Sequence, residues 1–197
     1  MTRMVLTGLS MAIIVVCVMF RHHLESNPVS HVLVLLPALA IAGALFAFAM
    51  RSGGWVMKEG WANAVVLLSV SAIFFWMLPR YIDQSLVEDY VSIAKFISIP
   101  ALVGFPIALA WRWSHPFLRG FLKANALSML GVLGYLYTHS PVRICNSYLV
   151  ADQEQLGYGF LIVAIVLAVA WSVPLFFPVD GRQTSQTIMP RGYFRDL

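Results

Sequence analysis

Side chains that can bind a soft metal ion occur in this sequence near the ends of its apolar runs. Four of the five histidines are placed in this way, as are two methionines and one cysteine: His22, His23, His31, His139, Met19, Met77 and Cys145. Imidazole, thioether and thiolate ligands suit copper in either oxidation state. The gathering of these side chains near one boundary of the apolar runs therefore suggests copper binding. Alternatively, the histidines are ordinary interfacial side chains and the methionines fill the core.

A second group of polar residues lies in the connections between the same apolar runs. Its members are Arg80, Asp83, Lys95, Arg143, Asn146, Asp152 and Gln153. On a helical turn Arg80 would reach Asp83, three residues later. Across a bundle the two could instead pair with Arg143 and Asp152. Charges near a membrane boundary persist when they are paired, so we interpret this group as a structural polar cluster between loops.

Lys95 stands apart because it lies a few residues inside an apolar run. A lysine in this position extends outward along its stem by default. Otherwise it faces the interior of the bundle and neutralises Asp83 or Asp89.

The elements that must position these residues follow from hydropathy. The chain has 197 residues, of which 60% are hydrophobic and 11% are charged, and its mean hydropathy is +0.80. A membrane span needs roughly 20 apolar residues, and six runs reach about this length: 4–20, 31–50, 61–79, 92–112, 121–139 and 156–177. A bilayer leaves the backbone no partners outside its own segment. We therefore predict an all-α, polytopic transmembrane bundle, with residues 1–197 forming one domain.

Lysine and arginine in the short connections predict the orientation. With six spans, nine of them share one side with both termini: Arg3, Arg51, Lys58, Arg112, Arg119, Lys123, Arg182, Arg191 and Arg195. Only four lie toward the other side, namely Arg21, Arg80, Lys95 and Arg143. Both termini are therefore predicted to be cytoplasmic, and His22, His23, His31 and His139 then lie on the outer side.

Several classes of function are disfavoured. The chain has no P-loop, no GxSxG elbow, no HExxH, no CxxCH and no Rossmann glycine pattern, so we expect no enzyme activity. Its basic residues are spread over separate loops, which argues against nucleic-acid binding. Cys17 and Cys145 do not form a CxxC motif, and a disulfide between them is left open.

Three blocks of the sequence resemble, in order, the CtaG-type cytochrome c oxidase assembly factors, which are polytopic bacterial membrane proteins associated with copper delivery. "HVLVLLPALAIAG" at 31–43 is similar to a family helix that opens with a histidine pair and runs into a proline. "WMLPRYIDQSL" at 76–86 is similar to a Trp-His-x-Pro segment followed by tyrosine and aspartate. "VADQEQLGYG" at 150–159 is similar to an Asp-Gln-Gln run at the head of a helix, with Asp152 as the N-cap candidate.

The sequence departs from the family at three histidine positions. Asn27 stands where the first histidine of the pair is expected, and Met77 follows the tryptophan in place of histidine. The third histidine has no counterpart, and Lys95 is the residue nearby. Methionine can bind Cu(I), whereas a protonated lysine has no lone pair to offer.

The resemblance implies a non-enzymatic assembly factor for a respiratory haem-copper oxidase in the bacterial cytoplasmic membrane. Its expected cofactor is copper, bound by His31 and Met77 with His139, Cys145, His22 or His23 completing the site; the assigned set is His31, Met77, His139 and Cys145. Its expected partners are oxidase subunits or copper-delivery proteins. One alternative is an accessory subunit of a respiratory complex that holds no metal. Another is a b-type haem protein that uses His31 and His139 on different helices.

Overall fold

The computed structural model describes residues 2–51, 56–140 and 148–176, and this part of the chain folds into helices with no strand. The eight helices are α1 (Thr2–Met19), α2 (Arg21–Glu25), α3 (Pro28–Met50), α4 (Glu59–Met77), α5 (Pro79–Val87), α6 (Asp89–Trp113), α7 (Pro116–His139) and α8 (Val150–Phe176). The predicted all-α class is confirmed for these residues, and the described part of each of the six predicted segments lies mainly on one helix.

Four helices, α3, α4, α6 and α8, are long and apolar enough to cross a membrane. The apolar part of α1, Arg3–Met19, is shorter. Helix α7 has 24 residues, but its first half carries Arg119 and Lys123 and it does not reach the same hydropathy. The composition and these helices are compatible with a membrane protein.

Neighbouring helices run antiparallel. On α1, Arg3 and Ser10 donate to the carbonyls of Arg51 and Ala42, so the chain order along α1 is the reverse of that along α3. In α4 and α6, Trp76 bonds to Ser98, whereas Val66 packs with Ala110. In α7 and α8, Gly134 packs on Leu161 and Thr138 on Gly157. As a result α1, α4 and α7 end where α3, α6 and α8 begin. We call this the His31 end of the bundle. The short helices α2 and α5, which fall in predicted loops, also lie there.

Two glycines bring α3 and α6 into backbone contact. A side chain added at Gly43 would collide with the backbone of Pro100, and one added at Gly104 would collide with the carbonyl of Ala40. Small residues at a helix crossing allow this close approach. The contact fixes α6 against α3 and thereby sets the position of Lys95 relative to His31.

Both helices of this pair contain a π-helical turn next to a proline. Residues His31–Leu35 form the turn in α3, where the Leu36 N–H donates to the carbonyl of His31. Residues Ile99–Gly104 form the turn in α6. Proline lacks an N–H, and a local π-adjustment re-pairs the carbonyls that it would leave free. His31 and Lys95 therefore lie at or just before a change in helical twist.

Candidate functional site

A buried lysine organises the His31 end of the bundle. Lys95 is only 1% exposed, although it lies near the start of α6, in its second turn. Its ammonium lies 2.6 Å from Glu25 Oε1, at the end of α2. The lysine thus faces the bundle instead of extending outward, and its carboxylate partner is Glu25, not Asp83 or Asp89.

Two further acceptors surround the Lys95 ammonium. Its Nζ lies 3.0 Å from His31 Nε2 and 3.2 Å from Ser85 Oγ on α5. Lysine carries three N–H donors when it is protonated, and the site offers three acceptors. The pairing is therefore complete: one carboxylate, one imidazole and one hydroxyl, each on a different helix.

The hydrogen bonds of His31 assign its tautomer. Tyr148 donates its only hydroxyl hydrogen to the carbonyl of Glu25 at 2.8 Å, so its oxygen accepts from His31 Nδ1 at 2.9 Å. A neutral imidazole protonated at Nδ1 keeps a lone pair on Nε2, which is the atom that faces Lys95. The contact of Nδ1 with Tyr148 and the contact of Nε2 with Lys95 therefore both place the imidazole hydrogen on Nδ1.

Local features hold these side chains in place. Asn27 caps α3, since its Oδ1 accepts from the Val29 N–H at 2.8 Å, as asparagine commonly does at a helix start. Ser30 ties this cap to α2 by donating to the carbonyl of Leu24 at 2.7 Å. The residue at the position of the expected first histidine therefore has a capping role that fixes Glu25 relative to His31.

Within the described residues, every buried side-chain nitrogen or oxygen has a hydrogen-bond partner. This includes Lys95, His31 and Ser85, which are among the most deeply buried polar residues. Unpaired buried polar groups are expensive, and a complete network in a low-dielectric interior rigidifies its surroundings. We refer to Glu25, His31, Ser85, Lys95 and Tyr148 as the Lys95 cluster. Its hydrogen bonds connect helices α2, α3, α5 and α6 with one another and with the residues just before α8.

His31 does not fit the role of a copper ligand in this arrangement. Its Nδ1 is bonded to Tyr148, and the Lys95 ammonium lies on the lone pair of Nε2. A metal ion at Nε2 would have to displace a positive charge. In the described part of the chain, no three His, Cys, Asp or Glu side chains are grouped closely enough to hold a metal ion.

The other predicted ligands are placed separately. Met77 lines an apolar cavity of about 160 Å³ between α3, α4 and α6, next to the buried Trp76. His139 is exposed at the last residue of α7, where its ring stacks on Tyr135 at a centroid distance of 4.4 Å. Cys145 lies outside the described residues.

The other members of the predicted polar cluster differ in exposure. Arg80 is exposed on α5, Asp83 is half-buried one turn later, and Gln153 is buried on α8. Ion pairs between described residues are Lys95–Glu25 and Arg21–Asp89. Arg143 and Asn146 fall outside the described residues.

Asp152 is not the N-cap of the last helix. Helix α8 begins at Val150, so Asp152 lies in its first turn. There its carboxylate is favourably placed near the positive end of the helix dipole.

Three members of the Lys95 cluster were not predicted as site residues: Glu25, Ser85 and Tyr148. They are separated from their partners by 70, 10 and 117 positions, respectively. The available signal was Lys95 itself, because a lone lysine inside an apolar helix requires a carboxylate close by. That rule demands a partner but does not identify it.

Comparisons with known proteins leave the family open: no family model, no curated protein and no solved structure matches this chain.

Proposed function

We propose that this protein is a non-enzymatic assembly factor for a respiratory haem-copper oxidase. In this proposal it is a multi-pass protein of the bacterial cytoplasmic membrane with six spans and both termini in the cytoplasm. The observation that supports it is convergence: the three sequence blocks that resemble CtaG-type factors meet at the His31 end.

The meeting of the blocks involves specific contacts. His31 in the first block and Ser85 in the second both bond to Lys95. The third block packs on the first, since a side chain added at Gly159 would collide with Leu33. Tyr148, two residues before the third block, bonds to His31. Blocks 31–43, 76–86 and 150–159 thus surround one polar cluster, which is what a shared functional surface requires.

Non-enzymatic action is consistent with how the cluster uses its polar groups. The Lys95 ammonium and the His31 imidazole are bonded to neighbours at each nitrogen. A nucleophile or general base needs an atom within reach of a substrate. These groups instead hold helices together, as an assembly factor or an accessory subunit needs.

Copper handling stays a prediction. Because both His31 nitrogens are engaged, the predicted ligands left to provide it are Met77, His139 and Cys145. A Cu(I) competition titration on the purified protein tests this directly, with Met77→Leu, His139→Gln and Cys145→Ser measured individually. Binding that none of these changes weakens would contradict the ligand assignment.

A metal-free accessory subunit of a respiratory complex is the second candidate. It is favoured by the position of Lys95, whose ammonium provides the positive charge next to His31 that a metal would otherwise supply. The two candidates differ in when the protein contacts the oxidase: an assembly factor leaves the mature enzyme, whereas a subunit stays.

Deletion of the gene in its host tests the proposal. We expect oxidase activity and copper content per oxidase in the membrane to fall and to return with the wild-type gene. A gene that carries Lys95→Ala should not restore the activity. Lys58→Ala, the matched control at an exposed lysine, should restore it fully. Unchanged oxidase levels would contradict both candidates. Co-purification at fixed stoichiometry with mature oxidase would favour the accessory subunit.

Topology needs a separate measurement. A reporter that is active only in the cytoplasm should be active when it is fused after residue 197, and a reporter that is active only outside the cytoplasm should be inactive there. The reason is that nine of the 13 lysine and arginine residues fall on the cytoplasmic side of the six-span arrangement. An extracytoplasmic reporter signal would contradict the six-span arrangement.

A further inference from the structure

The three groups that face the Lys95 ammonium have no hydrogen to donate to it. Ser85 gives its hydroxyl hydrogen to the carbonyl of Ile82 at 2.8 Å. The imidazole hydrogen of His31 is on Nδ1 and goes to Tyr148 at 2.9 Å. The carboxylate of Glu25 has only acceptor atoms when it is ionised. The centre of the cluster is therefore lined by acceptors alone.

A site of this kind requires a cation that carries several N–H donors. It contains one negative charge and two neutral acceptors, at distances of 2.6, 3.0 and 3.2 Å from Nζ. A primary ammonium has three donors and one positive charge, so it matches the site in number and in charge. Water would satisfy two acceptors at most and would leave the carboxylate without a counter-charge.

We propose that Glu25, His31 and Ser85 form a primary-ammonium binding site, which this chain fills with its own Lys95 side chain in place of an external cation. The inference goes beyond the proposed role in oxidase assembly. It concerns the chemical group that the site binds, and it does not depend on which partner protein this chain contacts. It also explains how His31 can act as a hydrogen-bond acceptor here without serving as a metal ligand.

Replacing Lys95 with alanine gives the direct test. The change removes Cγ, Cδ, Cε and Nζ, which together have the size of propylammonium. We expect the thermal unfolding midpoint of the purified protein to fall by on the order of 10 °C, because the carboxylate is left buried without its partner. Millimolar propylammonium chloride should restore a large part of this loss in Lys95→Ala.

Three controls define the specificity of the rescue. 1-Propanol fills the same space without a charge, and tetramethylammonium supplies the charge without N–H donors, so neither should restore the midpoint. Lys58→Ala removes the same atoms from an exposed lysine and should show no loss and no response to propylammonium. Equal rescue by propanol, or a Lys95→Ala protein as stable as the wild type, would overturn the proposal.

A measurement on the intact cluster covers the case in which Lys95→Ala does not fold. Nitrogen-15 spectra of histidine would be recorded on a variant in which the four exposed histidines are replaced by glutamine or asparagine, leaving His31 alone: His22, His23, His115 and His139. At neutral pH we expect one signal pair, with a proton on Nδ1 and a hydrogen-bonded lone pair on Nε2. Addition of Cu(I) should leave both signals in place. A proton on Nε2, or a copper-dependent shift of its signal, would show that the site does not hold the lysine ammonium as proposed.

Discussion

Two ion pairs at the His31 end use the same kinds of charge in different surroundings. Lys95 and Glu25 are 2.6 Å apart, and their side chains are 1% and 11% exposed. Arg21 and Asp89 are 3.6 Å apart, and their side chains are 35% and 87% exposed. Each pair joins α2 to α6, so the two connect the same helices at two depths.

The difference between the pairs is solvation. Water and salt screen the Arg21–Asp89 pair, and such a pair adds little to stability. The Lys95–Glu25 pair lost most of its hydration on folding, and attraction plus hydrogen bonds must compensate for that loss. Disruption of the buried pair should therefore destabilise the whole fold, because removing either partner leaves the other buried without its counter-charge.

The largest effect should come from breaking the buried pair. We expect Lys95→Met or Glu25→Gln to destabilise the protein by about 3–5 kcal/mol, since each leaves a buried charge or unpaired acceptors. Thermal unfolding in detergent measures this. The double variant, which removes both charges, should be more stable than the sum of the two single losses predicts. Strictly additive losses would mean that the two residues do not form a pair.

Removing the tyrosine hydroxyl should have the next largest effect. Tyr148→Phe leaves the His31 Nδ1–H and the Glu25 carbonyl without their shared partner. We expect a loss of about 1–3 kcal/mol, the usual range for a buried group left unsatisfied. Tyr158→Phe is the matched control, because Tyr158 is exposed and its hydroxyl makes a long 3.4 Å contact with Glu154. Equal effects of the two changes would contradict the role assigned to Tyr148.

A smaller loss is expected at Ser85. In Ser85→Ala the lysine keeps two of its three acceptors, so the loss should be about 1 kcal/mol. Ser85→Thr retains the hydroxyl and serves as the comparison. The same unfolding measurement applies, and a loss as large as that of Lys95→Met would show that Ser85 contributes more than one hydrogen bond.

The smallest effect should come from the exposed pair. Arg21→Gln or Asp89→Asn should change stability by less than about 1 kcal/mol, and added salt should reduce even this difference because it screens exposed charges. The effect of Lys95→Met should depend much less on salt. Unfolding curves at low and high sodium chloride test both statements, and a strong salt dependence of the Lys95→Met effect would contradict its buried character.

Much of the fold could be predicted from hydropathy. In the part of the chain that the structure describes, the six apolar runs lie mainly on helices, because the apolar content of a segment decides whether it forms a buried or membrane-facing helix. Pro79 also ends α4 as expected, since the helix stops at Met77 and Pro79 opens α5. The helical character of α2 and α5 was not predicted, because these short segments are polar and depend on tertiary contacts.

The site was predicted only in part. Residue chemistry singled out His31 and Lys95, but it assigned them to separate groups, one as a copper ligand and one as a charge near Asp83 or Asp89. In the structure they are bonded to each other at 3.0 Å, although 64 positions separate them. Such contacts arise from the crossing of α3 and α6 at Gly43 and Gly104, which no local pattern encodes.

The sequence by itself determined that the chain forms long apolar helices and that Lys95 lies within one of them. Only the tertiary structure decided that Glu25, His31 and Ser85 meet this lysine and that Tyr148 orients the histidine. The physical reason is that hydropathy is a property of each segment alone. The partner of a buried charge, in contrast, depends on which helix ends meet when the bundle packs.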